Sequence, residues 1–84
     1  MIVRGRVQGV FFRDTVRRMA EWRALAGWVR NREDGAVEAV FEGPPEGVES
    51  LVRFCHEGPR GAVVERVEAF EEEPEGIEGF SIAR

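Results

Sequence analysis

The stretch Gly5-Arg6-Val7-Gln8-Gly9-Val10-Phe11-Phe12-Arg13 holds the clearest chemical potential in this chain. An apolar strand, Ile2 to Val7, runs into a glycine turn, and the turn delivers an arginine where a helix should begin. A helix N-terminus exposes backbone N–H groups with no intrahelical partner, and the helix dipole adds positive potential at the same place. Arg13 contributes a permanent charge on a planar fork of donors. Together these features suit a phosphate-like dianion. The plain alternative is an ordinary βα turn with Arg13 pointing into solvent, and this segment alone does not choose between the two.

Few other side chains could act on a bound anion. The nucleophile candidates are Thr15, Ser50, Ser81 and Cys55. Thr15 is accounted for by a helix-start role. Cys55 falls on an apolar helical stripe and reads as core. His56, the sole histidine, is its neighbour in sequence, and adjacent helical residues do not face each other. Two aspartates, one histidine and one cysteine without ligand spacing make no metal cage. What is left is an anion cradle without nucleophile, base or metal.

A second motif follows. Gly27-Trp28-Val29-Arg30-Asn31 opens a strand, and Asp34-Gly35-Ala36-Val37-Glu38 turns into the next. The pair VQGVFFR and GWVRN…DG.VE resembles the acylphosphatase family, in that order and at that spacing. The likeness extends over nearly the whole chain, through Gly58-Pro59 to a closing Gly79-Phe80-Ser81-Ile82. The resemblance implies hydrolysis of small acyl phosphates to a carboxylate and inorganic phosphate, with no cofactor and typically by a monomer. It also implies that Arg13 binds the substrate and Asn31 positions the water.

The residues permit that chemistry. An acyl phosphate expels a carboxylate whose conjugate acid has a pKa of about 4–5, so no general acid is needed. A loose phosphoryl-transfer transition state asks mainly for positioning and charge stabilisation. Arg13 and the backbone amides of Gln8, Gly9, Val10, Phe11, Phe12 and Arg13 can grip phosphoryl oxygens. Asn31 can orient water without acting as its base, and the substrate's own phosphate can take the proton. Gly9 either lets the backbone approach the phosphate or simply makes the turn. Gln8 either shapes the cradle or caps it. Gln8 and Asn31 are the only side-chain amides in the chain, one in each motif.

These residues need elements to hold them. Asp14 or Thr15 is expected to cap a helix over about residues 14–25, with Phe12, Val16, Met19 and Ala20 inward. Arg23 falls on the same stripe, where related proteins usually carry an apolar residue, and Ala24 stands where they have Gly. Either Trp22 takes over the packing or the last turn is distorted. Gly27 to Asn31 and Ala36 to Glu42 make a hairpin through Asp34-Gly35. Trp28 is expected in the core, and Arg30 on the sheet face opposite Asn31. Pro44-Pro45 start a second helix with Val48, Leu51, Val52 and Cys55 on one stripe, ended by Gly58-Pro59. Ala62 and Val64 alternate, but Val67 and Ala69 are out of phase, which predicts a bulge near Glu65-Arg66. A short last strand carries Phe80 and Ile82. The expected fold is α+β, a ferredoxin-like βαββαβ sandwich in which a four-stranded antiparallel sheet carries two helices on one face. Residues 1–84 form one domain in this reading.

Composition excludes several roles. The 84 residues carry 12 Lys plus Arg against 16 Asp plus Glu, a net charge of −4, which argues against a nucleic-acid partner. RNA-recognition domains share this element order, but they need aromatics on central strands, and Glu38, Val40 and Glu42 offer none. A metallochaperone of this fold would need Cys-x-x-Cys, which is absent. Arginines cluster early and glutamates late, a pattern equally open to a positive side near Arg13 or to plain solvated faces. No apolar run approaches the ~20 residues of a membrane span, and Arg4 and Arg6 interrupt the start, so no signal peptide is expected. With one cysteine there is no intrachain disulfide, and a cytoplasmic location is the simplest reading. The rival role is a non-catalytic binding or regulatory domain, such as occurs inside larger carbamoyl-transfer enzymes. The short length favours a free-standing enzyme.

Overall fold

Alternating apolar residues put one face of each strand against two amphipathic helices. The computed structural model describes residues 1–83, in the order β1 (Ile2–Arg6), α1 (Phe12–Trp22), β2 (Ala26–Asn31), β3 (Val37–Glu42), α2 (Pro45–Glu57), β4 (Val63–Glu68) and β5 (Phe80–Ile82). Val3, Val7, Val29, Val37 and Ala39 from the sheet side meet Phe12, Val16 and Ala20 of α1 and Leu51 and Cys55 of α2. The fold is the expected ferredoxin-like α+β sandwich. Burial pushes the Cys55 thiol up to about 12, so it stays protonated and unreactive.

The sheet runs β4-β1-β3-β2-β5. Its first four strands are antiparallel, as expected, but β5 adds a fifth, parallel to β2, with Val29 opposite Ile82. The four-stranded count therefore becomes a five-stranded mixed sheet. The reason is a crossing segment that carries the chain from the β4 edge to the β2 edge. The Glu42 carboxylate holds this segment by accepting the N–H groups of Glu75 (2.6 Å) and Ile77 (3.1 Å), which lower its pKa. Phe80 then stacks on Phe41 with ring centroids 5.7 Å apart. Gly27 makes room at this edge: a Cβ there would lie 1.8 Å from the Val40 carbonyl oxygen and 3.2 Å from the Phe80 ring.

The bulge lies where the phase break places it. Arg4 pairs with Arg66 and Gly5 with Val64, so Glu65 is the extra residue. Trp28 corrects an expectation. Val29 occupies the helix side of β2, so Trp28 and Arg30 project from the open face, where the Arg30 guanidinium sits 5.6 Å from the Trp28 ring. Arg30 thus leaves the face opposite Asn31, as expected.

Helix α1 spans Phe12–Trp22 rather than residues 14–25, and neither Asp14 nor Thr15 caps it. Phe11 is the N-cap, in left-handed conformation (φ 59°) and without a side-chain cap bond. At the other end the helix stops before Arg23 has to face the core. The Leu25 N–H bonds the Ala20 carbonyl (2.9 Å) and the Ala24 N–H bonds that of Glu21 (3.1 Å), a Schellman closure. Trp22 does not take over the packing: it is 91% exposed. Ala24 carries the left-handed residue of the closure (φ 55°), a position that glycine fills without cost. Ala24→Gly is therefore expected to stabilise the fold by about 1 kcal/mol, read as a higher denaturant midpoint at unchanged m-value. A lower midpoint would contradict the strain assigned to Ala24.

Candidate functional site

Between β1 and α1 the backbone alternates its sign of φ. Gly9 is positive (75°), Phe11 is positive (59°), and Val10 between them is not. Such alternation turns successive N–H groups toward one side, a concavity suited to an anion. A Cβ on Gly9 would meet nothing within 4 Å, so turn conformation, not a close protein contact, requires glycine there. From Gln8 through Asp14 no backbone N–H finds an acceptor among the described residues. The Phe11 carbonyl, by contrast, is engaged: it accepts the Thr15 N–H at 3.0 Å and fixes the loop to the helix.

The Gln8 side chain ties this loop to the second motif. Its Nε2 donates to the carbonyls of Arg32 (2.8 Å) and Ala36 (3.0 Å), at the base of the β2–β3 hairpin. The Arg32 N–H bonds the same Ala36 oxygen (2.8 Å). Gln8 thereby sets the distance between the N–H run and the end of β2, where Asn31 stands. Inside the hairpin turn, Asp34 accepts bonds from Arg32 (3.2 Å), from the Ala36 N–H (3.1 Å) and from Arg4 (3.1 Å). Arg32 first, then Ala36 and Arg4, lower its pKa to about 2, so this brace stays charged at working pH.

Gly9, Phe11, Arg13 and Asn31 line one cleft of about 280 Å³, together with Asp14, Ile82 and the inner residues Val7 and Phe12. Arg13 has no hydrogen bond or ion pair to a described side chain. Arg4, Arg17, Arg18, Arg30 and Arg32 are all paired with carboxylates. Much of the early arginine cluster is thus neutralised locally, leaving Arg13 as the arginine that lines the cleft. Asp14 also lines it, but Arg17 holds its carboxylate at 2.8 Å and Arg18 at 3.2 Å, and the Arg17 bond foremost lowers its pKa. The Asn31 Oδ1 is the one side-chain polar atom among the described residues that is buried without a hydrogen-bond partner. A buried orphan acceptor costs about 1–3 kcal/mol.

The cleft gathers the residues singled out from sequence in different ways. Arg13 and Asn31 bring side chains. Phe12 is buried in the core, Gln8 points to the hairpin, and Val10 packs toward Gly61, so these three face the loop's interior with only their backbone free. Asp14 and Ile82 line the cleft without having been singled out for it. Ile82 reads in sequence as one more core position of a short strand, and only the parallel pairing of β5 brings it here. No group of three His, Cys, Asp or Glu side chains converges among the described residues. No helix among them is long and apolar enough to cross a membrane.

The fold is that of a ferredoxin-like α+β protein, and it brings an unpartnered N–H run, an arginine and an asparagine to one cleft. The family model for acylphosphatase matches residues 1–82. An acylphosphatase of Haloarcula marismortui is 54% identical over 82 residues, covering 98% of this chain and 90% of the relative. The crystal structure of acylphosphatase from Bacillus subtilis superposes with a TM-score of 0.93 at 43% identity, covering 99% of this chain and 93% of that one. Full-length HypF in its phosphate- and nucleotide-bound form matches with a TM-score of 0.88 at 30% identity, over 99% of this chain but 11% of its own. The chain belongs to the acylphosphatase family. Its activity is that of an acylphosphatase, the hydrolysis of acyl phosphates.

Proposed function

We propose that Arg13 and the loop amides of Gln8 to Arg13 hold the phosphoryl group while Asn31 orients the water that attacks it. The water oxygen forms a bond to phosphorus, the bond from phosphorus to the acyl oxygen breaks, and a carboxylate leaves with the bonding electrons. A carboxylate is a stable leaving group near neutral pH, so no protein acid has to follow it. The water's proton passes to a phosphoryl oxygen of the substrate. Charge spread over the equatorial oxygens is met by the guanidinium fork and by N–H groups that are already aimed, so little reorganisation accompanies the reaction.

The observation that carries this reading is the unpartnered Asn31 Oδ1 beside a cleft that also contains Arg13. An amide acceptor can take a hydrogen from a water and turn its lone pair toward phosphorus. It is far too weak a base to remove the proton. Gln8 is a positioning residue here, because it sets the loop against the hairpin that bears Asn31. The substrates are small acyl phosphates, and since every assigned group comes from one chain, a monomer suffices. One buried free thiol, Cys55, suits a reducing, cytoplasmic setting.

The test is steady-state hydrolysis of benzoyl phosphate with inorganic phosphate and a chelator as probes. Phosphate should raise the apparent KM and leave kcat unchanged, because it matches the group the cradle binds. The chelator should leave both constants unchanged. Phosphate that lowers kcat without touching KM would move the phosphoryl site elsewhere. Loss of activity in chelator, restored by Mg²⁺, would overturn a mechanism carried by these side chains alone.

A further inference from the structure

The cleft is larger than a phosphoryl group needs. A water takes ~30 Å³, and a phosphoryl group with its attacking water counts only about six heavy atoms. The 280 Å³ cleft therefore has room beside them. The exposed apolar side chains that border this room are Phe11 and Ile82. Phe11 is 80% exposed and Ile82 39%.

Phe11 is an expensive choice at its position. The left-handed conformation disfavours a bulky residue, and glycine or asparagine would adopt it more cheaply. Its ring gains little from the core in return. A benzyl side chain that is both strained at its backbone and exposed at its ring gives no stability account of itself. Its location does: it stands on the N–H run, at the mouth of the cleft that holds Arg13 and Asn31. Ile82 reaches the same cleft from β5, the strand added beside β2.

We propose that Phe11 and Ile82 form an apolar shelf that receives the acyl half of the substrate and favours ring-bearing or long-chain acyl phosphates over acetyl phosphate. The proposal rests on the reading of the cleft as the phosphoryl site. An acyl group has to leave the phosphorus on the side opposite the attacking water, and a flat apolar acyl group gains by covering the exposed Phe11 ring and the Ile82 side chain. A methyl group is too small to reach both. The shelf therefore acts on selectivity, and the loop amides and Arg13 act on the phosphoryl group common to all substrates.

The experiment compares kcat/KM for benzoyl phosphate and acetyl phosphate in wild type, Phe11→Asn, Phe11→Leu and Ile82→Thr, with the phosphate inhibition constant measured in each. Asparagine tolerates the left-handed backbone, so Phe11→Asn removes the ring while leaving the turn affordable. The benzoyl-to-acetyl ratio should fall about tenfold in Phe11→Asn, less in Phe11→Leu, and by a few-fold in Ile82→Thr, with the phosphate constant unchanged in Ile82→Thr. An unchanged ratio in Phe11→Asn and Ile82→Thr overturns the shelf. So does an equal fall for both substrates with a weakened phosphate constant, which would make Phe11 a brace for the loop. Failure of phosphate to compete with either substrate in wild type would overturn the phosphoryl-site reading itself, and the shelf with it.

Discussion

Arg13→Lys is expected to lower kcat/KM for benzoyl phosphate by at least ~10², the scale of losing a transition-state donor. Lysine keeps the charge but replaces a planar fork with a single ammonium on a flexible stem. Arg13 has no partner among the described side chains to set its direction, so in the proposed mechanism the match between fork and phosphoryl oxygens orders it. An ammonium can approach one oxygen but cannot hold two at fixed geometry. The loss should appear in kcat as well as KM, because charge on the equatorial oxygens is greatest in the transition state. Since Arg13 does not brace the fold, thermal stability should stay near that of wild type. Steady-state kinetics beside a melting curve checks both parts. Near-native kinetics in Arg13→Lys would show that charge alone suffices.

Asn31→Ala is expected to lower kcat by roughly 10²–10³ while leaving the phosphate inhibition constant nearly unchanged. The variant removes the orphan acceptor that the proposed mechanism uses to align water, and misalignment alone can cost that much. Asn31 ends β2 beside the hairpin, so circular dichroism has to confirm that the β2–β3 pairing survives. Asn31→Asp sharpens the result. It is close in shape but brings a negative charge toward a dianion, so it should weaken phosphate binding as well as slow turnover. If Asn31→Ala instead raises KM and the phosphate constant with kcat intact, Asn31 is a clamp on the substrate and not a positioner of water.

The run of free N–H groups was legible because its logic is local. A glycine turn that runs into a helix start leaves N–H groups without intrahelical partners, whereas the direction of Arg13 could not be chosen from that segment alone. The bulge at Glu65 was legible for the same reason, since a phase break in alternation needs an extra residue. What escaped was mostly non-local. The pairing of β5 with β2 depends on a crossing held by Glu42, more than 30 residues away in sequence. The bridge from Gln8 to Arg32 and Ala36 spans 24 and 28 residues, and nothing in VQGV announces its partners. Two misses were local. Phe11 starts the helix from a conformation its residue type disfavours, so capping propensity pointed three or four residues too late. Trp28 is expected in the core, but alternation from the buried Val29 puts it on the open face. Ala24 marks the converse case. The expected distortion of the last helical turn is present, because a left-handed alanine ends the helix before Arg23 can be buried.

In the proposed mechanism one water molecule attacks the phosphorus directly, without a phosphorylated protein group and without attack at the acyl carbon. The stereochemical course at phosphorus tests this most directly. Benzoyl phosphate made chiral at phosphorus by sulfur and oxygen isotopes would be hydrolysed in isotopically labelled water and the product's configuration read. A single in-line attack by water oriented at Asn31 predicts inversion, with one solvent oxygen in the phosphate and none in the benzoate. Retention of configuration would contradict the account, because it requires either two successive displacements at phosphorus or cleavage on the acyl side.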